Sequence, residues 1–262
     1  MPTAEPYGDD VARMYDLLVE GREDAEAEGR ELEFIRRALR QVCPRPVQDV
    51  LDVGCGTGKH LIPLARDGFR VTGVDYSEAM VRECRRKLAR HGLEAELHTA
   101  DLLELDLPGR FDAALAMNSV ICYLLETERI AEGLRRLREA LRPGGLLLLD
   151  NTNVLAQWVT FDETYWDKRI GPTMQIEFQE RRHFDDLAAV FHLEVKAVVH
   201  EGERSYEVHN EDVLRVMTVG ELTCYLRAAG FGDVRAYPTF DCATADEPSG
   251  DRMILLALVP QQ

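Results

Sequence analysis

One short stretch of the chain combines residue types that can hold a ligand. Asp49–Lys59 is an apolar run of strand length that leads into three glycines. They lie at Gly54, Gly56 and Gly58, and a second apolar run, Arg70–Asp75, ends in a carboxylate. Glycines at a strand-to-helix turn let the backbone approach a ligand closely. A carboxylate roughly 20 residues further on can accept both hydroxyls of a ribose. The spacing therefore predicts a site for a ribose-containing ligand where these two strands end.

The spacing of the glycines also discriminates between two classes of cofactor. The pattern is G-x-G-x-G, whereas the dinucleotide fingerprint G-x-G-x-x-G would need its third glycine at Lys59. A pyrophosphate is therefore disfavoured, and a tight turn without any ligand is the alternative. The stretch resembles motif I of the class I S-adenosylmethionine (AdoMet) methyltransferases. That resemblance implies AdoMet as cofactor, S-adenosylhomocysteine as product, and a ligand with a ribose but no phosphate.

The rest of the chain fits an α/β fold. Further apolar runs of strand length are followed by helical patterns, and L-R-P-G-G before the run at Leu146–Asp150 is a second landmark of the same family. The helix that carries Leu137 and Leu141 is expected to end at this landmark. The resemblance implies a Rossmann-like seven-stranded methyltransferase sheet with helices on both faces. We expect in addition an inserted antiparallel β lobe and an N-terminal helical lid.

Four parts of the chain follow from these patterns. They are an N-terminal helical cap (1–45), the AdoMet-binding core (46–150), an inserted antiparallel lobe for substrate or oligomer contacts (151–217) and the C-terminal part of the core (218–262). Three strands with alternating polarity are predicted in the lobe, at Met174–Phe184, Ala189–His200 and Ser205–Val216.

The family resemblance also implies a set of cofactor contacts. Arg22 would pair with the AdoMet carboxylate, and Asp101 would cap the adenine amino group. Leu102 would pack on the adenine ring, and the backbone at Met117 and Asn118 would bind the methionine part. The remaining residues assigned to the cofactor are Gly54, Cys55, Gly56, Gly58, His60, Asp75, Tyr76 and Met80.

Tyrosines are the candidates for the catalytic role. Tyr7 and Tyr15 lie in a Y…Y-D…G-R segment near the N-terminus, and by resemblance they would sit beside the acceptor nitrogen. A tyrosine hydroxyl there can accept a hydrogen bond from an amine and aim its lone pair. The alternative is that both tyrosines pack on the core. Tyr123, in the segment S-V-x-x-Y-L, and Asn151 are assigned to substrate binding, and no metal site is expected.

These secondary motifs resemble small-molecule N-methyltransferases of antibiotic biosynthesis, which act on amino sugars and lincosamide precursors. The resemblance implies methyl transfer to an amine nitrogen of a small natural product. A small-molecule O-methyltransferase is an alternative, because His192, His200 and His209 could supply a base. A non-catalytic AdoMet-binding or regulatory protein is a third interpretation.

The composition of the chain limits the classes of partner that we expect it to bind. The formal net charge of −16 argues against a nucleic-acid groove and an anionic membrane surface, and it is compatible with an amine. The six cysteines are scattered without a C-x-x-C pair, which favours reduced thiols and a cytoplasmic location. We expect a small-molecule acceptor as the partner, no nucleic acid or membrane, and a possible homo-oligomer.

Overall fold

The structure is a computed structural model that describes residues 7–20, 25–153, 164–240 and 252–261. Strands within these residues are β1 (Asp49–Val53), β2 (Arg70–Asp75), β3 (Glu96–Thr99), β4 (Phe111–Ala116), β5 (Leu141–Thr152), β6 (Thr164–Ile170), β7 (Gln175–Asp185), β8 (Val190–Glu201), β9 (Arg204–Arg215), β10 (Val234–Tyr237) and β11 (Arg252–Leu258). The α-helices are α1 (Asp9–Glu20), α2 (Ala25–Arg37), α3 (Leu61–Arg66), α4 (Glu78–His91), α5 (Thr127–Ala140) and α6 (Val219–Ala228). A π-helical turn covers Ala38–Val42, and 3-10 turns cover Leu102–Glu104 and Val120–Tyr123.

Seven strands form the main sheet in the order β10-β11-β5-β4-β1-β2-β3. β1 to β5 are parallel where they pair, and β11 runs antiparallel between β5 and β10. This arrangement confirms the predicted fold class. The C-terminal ends of β1, β2 and β4 lie side by side, so the glycines after β1 and the carboxylate at the end of β2 meet at one edge.

Helices cover both faces of this sheet because its central strands carry apolar residues on both faces. In β5, Leu147 and Leu149 pack with residues of α5 and α6, whereas Leu146 and Leu148 pack with residues of α2, α3 and α4. All four leucines are fully buried. Strands that are buried on both faces read as continuous apolar runs, which is why they could be located from sequence.

The junction between α5 and β5 differs from the prediction. Leu141, expected on the helix, is the first residue of β5 and pairs with Phe111 of β4. α5 ends at Ala140, and Leu141 already has extended dihedral angles. Leu141 was predicted to be helical because its spacing from Leu137 fits a helix. Its side chain is buried, but it belongs to β5.

The second sheet has the strand order β6-β7-β8-β9 and is antiparallel throughout. β7, β8 and β9 occupy the three predicted stretches, and β6 is an additional strand. β6 was missed because it is an edge strand whose residues are mostly exposed, so its sequence shows no alternation. The boundaries of the four chain parts remain predictions.

Helix α1 joins the two sheets. Its residues Val11, Met14 and Leu18 form an apolar cluster with Ile176 and Phe178 of β7 and with neighbouring strands. On its other side, α1 contacts α4 of the main sheet. Among the helices that the structure describes, none is both long and apolar enough to cross a membrane.

Candidate active site

A cavity of about 300 Å³ lies where β1, β2 and β4 end. Its walls come from the glycine loop after β1, the end of β2, the 3-10 turn at Leu102–Glu104 and the turn after β4. Tyr7 and Tyr15 close it from the N-terminal segment. Among the described residues that the sequence assigned to the site, all line this cavity except Gly58 and Asn151.

The glycine loop has a conformation that side chains rarely tolerate. Gly54 and Gly56 have φ values of +66° and +52°. A Cβ atom at Gly54 would overlap Val120, which also lines the cavity. A Cβ atom at Gly56 would meet no atom within 4 Å, so the backbone there borders open space. The loop therefore leaves room for a ligand to lie against its backbone.

Gly58 packs against helix α4, and its predicted contact with the cofactor stays a prediction. It is not a lining residue, and a Cβ atom there would lie 2.8 Å from the Cys84 Sγ atom of α4 and 2.9 Å from Ile62. Its φ of +93° and this close approach indicate that it lets the loop pack on α4. Its assignment to cofactor binding receives no support from this position.

Asp75 is the buried carboxylate at the end of β2. Its Oδ2 atom accepts the Gly56 N–H at 2.8 Å, and its Oδ1 atom accepts the Ser77 N–H at 2.9 Å. Burial raises the pKa of Asp75, and the two backbone N–H groups oppose that rise. Each carboxylate oxygen keeps a further lone pair. Asp75 can therefore accept two ligand hydroxyls while the backbone fixes its orientation.

Asp101 and Leu102 form another wall. Asp101 accepts the Leu103 N–H at 2.9 Å, and its side chain is 44% exposed. Its Oδ2 atom lies 3.6 Å from the Nη2 atom of Arg129, a lining residue on α5 that the sequence analysis missed. Leu102 is buried and offers the apolar surface that a flat ring needs.

A buried ion-pair cluster supports the glycine loop. Glu31 of α2 lies 2.8 Å from the Lys59 Nζ atom and 2.7 Å from the His60 Nε2 atom. Burial raises the pKa of Glu31, but the hydrogen bond and charge of His60 and the charge of Lys59 lower it to about 2. Burial lowers the pKa of His60, but Glu31 outweighs it and the net shift is upward. Glu31 escaped sequence analysis because it lies in a strongly charged helix.

Asp52 lies at the end of β1, next to the lining residue Val53. It is buried, and its Oδ2 atom has no hydrogen-bond partner among the described residues. Burial raises its pKa to about 6, although the charge of His60 acts in the opposite direction. A carboxyl group with a pKa of about 6 therefore lies next to a residue of the cavity wall.

Aromatic rings close the opposite side of the cavity. The ring of Tyr7 makes edge contacts with Tyr15, Tyr76 and Tyr123 at centroid distances of 5.9 to 6.4 Å. The Tyr7 Oη atom lies 2.6 Å from the Tyr123 Oη atom. Burial raises the pKa of Tyr15 to about 12 and raises those of Tyr7 and Tyr123 well above 10. All three hydroxyls are thus protonated at neutral pH.

Asp212 joins these tyrosines from the second sheet. Its Oδ1 atom accepts hydrogen bonds from the hydroxyls of Tyr7 at 2.9 Å and Tyr123 at 3.2 Å. The sequence analysis missed it. A signal was present, because Asp212 is in phase with the buried Val208 of β9, where an apolar residue is expected.

A comparison with known proteins identifies the central part of the chain. Residues 50–145 match the family model of a methyltransferase domain. Over these residues the chain is similar to a methyltransferase domain. The expected resemblance to methyltransferases is thus confirmed, and the matched residues contain the glycine loop, Asp75 and Asp101.

Relatives and solved structures agree with this assignment. The chain is 32% identical over 145 residues to the dTDP-3-amino-3,4,6-trideoxy-alpha-D-glucopyranose N,N-dimethyltransferase of Streptomyces venezuelae, covering 55% of this chain and 58% of that protein. The chain spans about half the length of the curated relatives it matches.

The fold extends beyond the methyltransferase domain. An S-adenosylmethionine-dependent methyltransferase from Clostridium acetobutylicum superposes with a TM-score of 0.81 at 18% identity, over 96% of this chain and 98% of that one. The sugar N-methyltransferase KedS8 from Streptoalloteichus superposes with a TM-score of 0.77 at 24% identity, over 100% of this chain and 98% of that one. Both likenesses show the fold, including the second sheet and the N-terminal helices.

Four further predicted residues are Arg22, Met117, Asn118 and Asn151. Arg22 lies outside the described residues. Asn151 is buried on β5 and does not line the cavity, and its amide atoms have no partner among the described residues. Met117 and Asn118 line the cavity, and the Asn118 N–H donates to Asp150 at 2.6 Å.

The three histidines of the second sheet contact polar side chains of that same sheet. His192 lies 3.7 Å from Glu211, His200 bonds Ser205, and His209 bonds Glu194. None of the three lines the cavity. Among the residues that the structure describes, no group of three or more His, Cys, Asp or Glu side chains could hold a metal ion.

Proposed function

We propose that this chain is an AdoMet-dependent methyltransferase that transfers a methyl group to an amine nitrogen of a small, sugar-like acceptor. One observation carries the proposal. The cavity has a glycine loop and the buried carboxylate of Asp75 on one side, and a cluster of protonated tyrosines backed by Asp212 on the other. The names of the relatives, which include sugar N,N-dimethyltransferases, support the same reaction.

The residues present fit AdoMet. Open space next to Gly56 leaves room for the ligand, and Asp75 keeps lone pairs for two ribose hydroxyls. Leu102 and Asp101 would hold the adenine ring and its amino group, and the backbone at Asn118 would hold the methionine part. When bound, AdoMet supplies a methyl group that is electrophilic because it is carried on a sulfonium. The protein supplies alignment, which is worth roughly 7–11 kcal/mol in well-oriented reactions.

The tyrosines would receive the acceptor. Their hydroxyls are hydrogen-bond donors and acceptors on an otherwise aromatic wall, so they can orient an amine without covalent chemistry. The amine attacks as its neutral form, and the tyrosine contacts would aim its lone pair into the cavity.

The position of the histidines favours nitrogen over oxygen as the methylated atom. An acceptor hydroxyl has to lose its proton before or during attack, whereas a neutral amine already carries its lone pair. The histidines that kept the O-methyltransferase alternative open lie elsewhere on the second sheet. These three histidines therefore offer no base to an acceptor hydroxyl in this cavity.

Two measurements test the proposed function. Calorimetric titration should show micromolar binding of AdoMet and no binding of NAD⁺; NAD⁺ binding alone would refute the cofactor assignment. Incubation of AdoMet with dTDP-3-amino-3,4,6-trideoxy-glucose and other amino sugar nucleotides should then form S-adenosylhomocysteine over many turnovers. AdoMet binding without turnover on any amine or alcohol would favour the non-catalytic alternative, and turnover on alcohols alone would favour the O-methyltransferase.

A further inference from the structure

Asp212 lies behind the cavity wall and not in it. It is buried on β9, in the second sheet, and is not a lining residue. Two residues that do line the cavity, Tyr7 and Tyr123, contact its Oδ1 atom through their hydroxyls. Any group that contacts these hydroxyls from the cavity is therefore one hydrogen-bonded side chain away from the carboxylate.

Asp212 is part of a hydrogen-bonded network that includes Asn210 and the two tyrosines. The Asn210 Nδ2 atom donates to its Oδ2 atom at 3.2 Å, and the Asn210 Oδ1 atom has no partner among the described residues. Each tyrosine hydroxyl has a single proton, so only one of the two can donate to the other at any moment. The hydroxyls can thus exchange which of them donates to the carboxylate, which is what a proton relay needs.

We propose that Asp212 takes up the proton of the acceptor amine through the hydroxyls of Tyr7 and Tyr123. This inference rests on the proposed function. The N–H bond of the ammonium breaks and its proton goes to a tyrosine oxygen, and the electron pair stays on nitrogen. In the same step that tyrosine's O–H bond breaks and its proton goes to the Asp212 Oδ1 atom. The tyrosine ends neutral, the carboxylate becomes a neutral acid, and the amine is ready to attack or to be methylated again.

Among the groups that face Asp212, the tyrosines favour this direction of transfer. Tyr7 precedes α1, Tyr15 lies on α1, and Tyr123 lies in the turn after β4. Burial raises the pKa of each of these tyrosines, so none is a base at neutral pH and each can only pass a proton on. On β8 the partner opposite Asp212 is Leu193, which does not titrate.

A purely structural role makes a different prediction. The same hydrogen bonds tie the N-terminal segment and the turn after β4 to the second sheet. If Asp212 served only as that tie, its loss would lower stability and would reduce turnover by the same factor at every pH. A proton acceptor instead matters most where the amine arrives protonated, and matters less as pH approaches the pKa of the free amine.

The test compares Asp212→Asn with Glu211→Gln, the same carboxylate-to-amide change one residue earlier on the same strand. Glu211 is exposed and belongs to the opposite face of β9. For each protein one measures AdoMet affinity, thermal unfolding, and kcat/KM against pH with dTDP-3-amino-3,4,6-trideoxy-glucose or the amino sugar nucleotide that the wild type turns over best.

The kcat/KM of Asp212→Asn should be about 100-fold or more below that of the wild type at pH 7. The deficit should shrink to less than about tenfold near pH 10, where amines of the lysine type are half neutral. AdoMet affinity should stay within a few-fold, and Glu211→Gln should match the wild type.

Further outcomes separate the two proposals. A wild type that turns over amines beside an equally active Asp212→Asn would overturn the relay alone, and so would a deficit that is equal at all pH values. A wild type that turns over no amine would overturn the proposed function and the relay with it. If Asp212→Asn does not fold, the double variant Tyr7→Phe/Tyr123→Phe removes both relay hydroxyls and should show the same loss and the same recovery at high pH; unchanged turnover in it would equally overturn the relay.

Discussion

The two sheets build their halves of the cavity in different ways. In the seven-stranded sheet, the glycine loop and Asp75 lie about 20 residues apart in sequence and meet because adjacent parallel strands end at the same edge. In the four-stranded sheet, Asp212 reaches Tyr7 across a sequence separation of 205 residues. The cofactor half is therefore encoded locally, whereas the acceptor half exists only once α1 and the second sheet have packed on each other.

The two halves also hold their carboxylates differently. Asp75 is fixed by two backbone N–H groups, which are part of the fold and remain under any side-chain substitution. Asp212 is held by side-chain hydroxyls and an amide, which substitutions can remove one by one. We expect the cofactor half to tolerate changes in the second sheet, and the acceptor half to depend on them.

The largest effect is expected from a substitution in the apolar cluster that joins α1 to the second sheet. It should damage the acceptor half of the cavity and spare the cofactor half. Phe178 is fully buried in the cluster that joins α1 to the second sheet. Phe178→Ala should cost about 3–5 kcal/mol of unfolding free energy, because it leaves a cavity there. Turnover should fall far more than AdoMet affinity, as measured by denaturant unfolding, calorimetry and initial rates. A proportionate loss of AdoMet affinity would show that the two halves are not separable.

A somewhat smaller effect is expected at the support of the glycine loop. Glu31→Gln leaves the buried His60 facing an amide in place of a carboxylate. Breaking a buried ion pair from one side is costly, so we expect a loss of about 3 kcal/mol at neutral pH. Glu33→Gln, on the same helix, is the matched control. Equal unfolding curves for both variants would show that Glu31 does not stabilise the glycine loop.

Asp52→Asn should change stability in the opposite direction. The folded-state pKa of Asp52 is about 6, above its ordinary value of 3.8, so burial of its charge destabilises the fold above pH 6 and not below about pH 4. The variant should be more stable than the wild type by about 3 kcal/mol at pH 7 to 8. This gain should vanish as pH falls towards 4. Thermal unfolding across this range measures it, and a gain independent of pH would contradict the burial of a charge.

Asp75→Ala tests the ribose assignment. It should weaken AdoMet binding by about tenfold or more, because ligand hydroxyls and two backbone N–H groups lose their acceptor. Asp101→Ala should cost less, since its side chain is 44% exposed. Calorimetry on both variants gives the comparison, and an unchanged affinity in Asp75→Ala would refute the assignment.

The smallest effect is expected at Tyr15. Tyr15→Phe removes one hydroxyl from the acceptor wall and keeps its ring contacts, so turnover should fall about tenfold, the value of one lost hydrogen bond. AdoMet affinity should change less than turnover. If neither changes, Tyr15 is a packing residue.

The sequence predicted the parts of the molecule whose signals are local. Apolar runs, glycine spacing and a strand-end carboxylate located the main sheet and most of the cavity wall. β6 was not predicted because an exposed edge strand needs no apolar face. Glu31, Arg129 and Asp212 were missed because charged residues on charged helices and strands look like solvent-exposed surface. Only the tertiary packing shows that Glu31 and Asp212 face inward.

Asp52 has a consequence for how cofactor binding will be observed. With a pKa of about 6, this carboxylate carries a proton in half of the molecules at pH 6. It lies directly beside Val53 of the cavity wall, so a cation bound there stabilises its charged form and expels that proton into the solvent. The heat of binding will then contain the ionisation heat of the buffer. Titrations in phosphate and in imidazole buffer at pH 6.5 should give different enthalpies for the same affinity, and their difference counts the protons released.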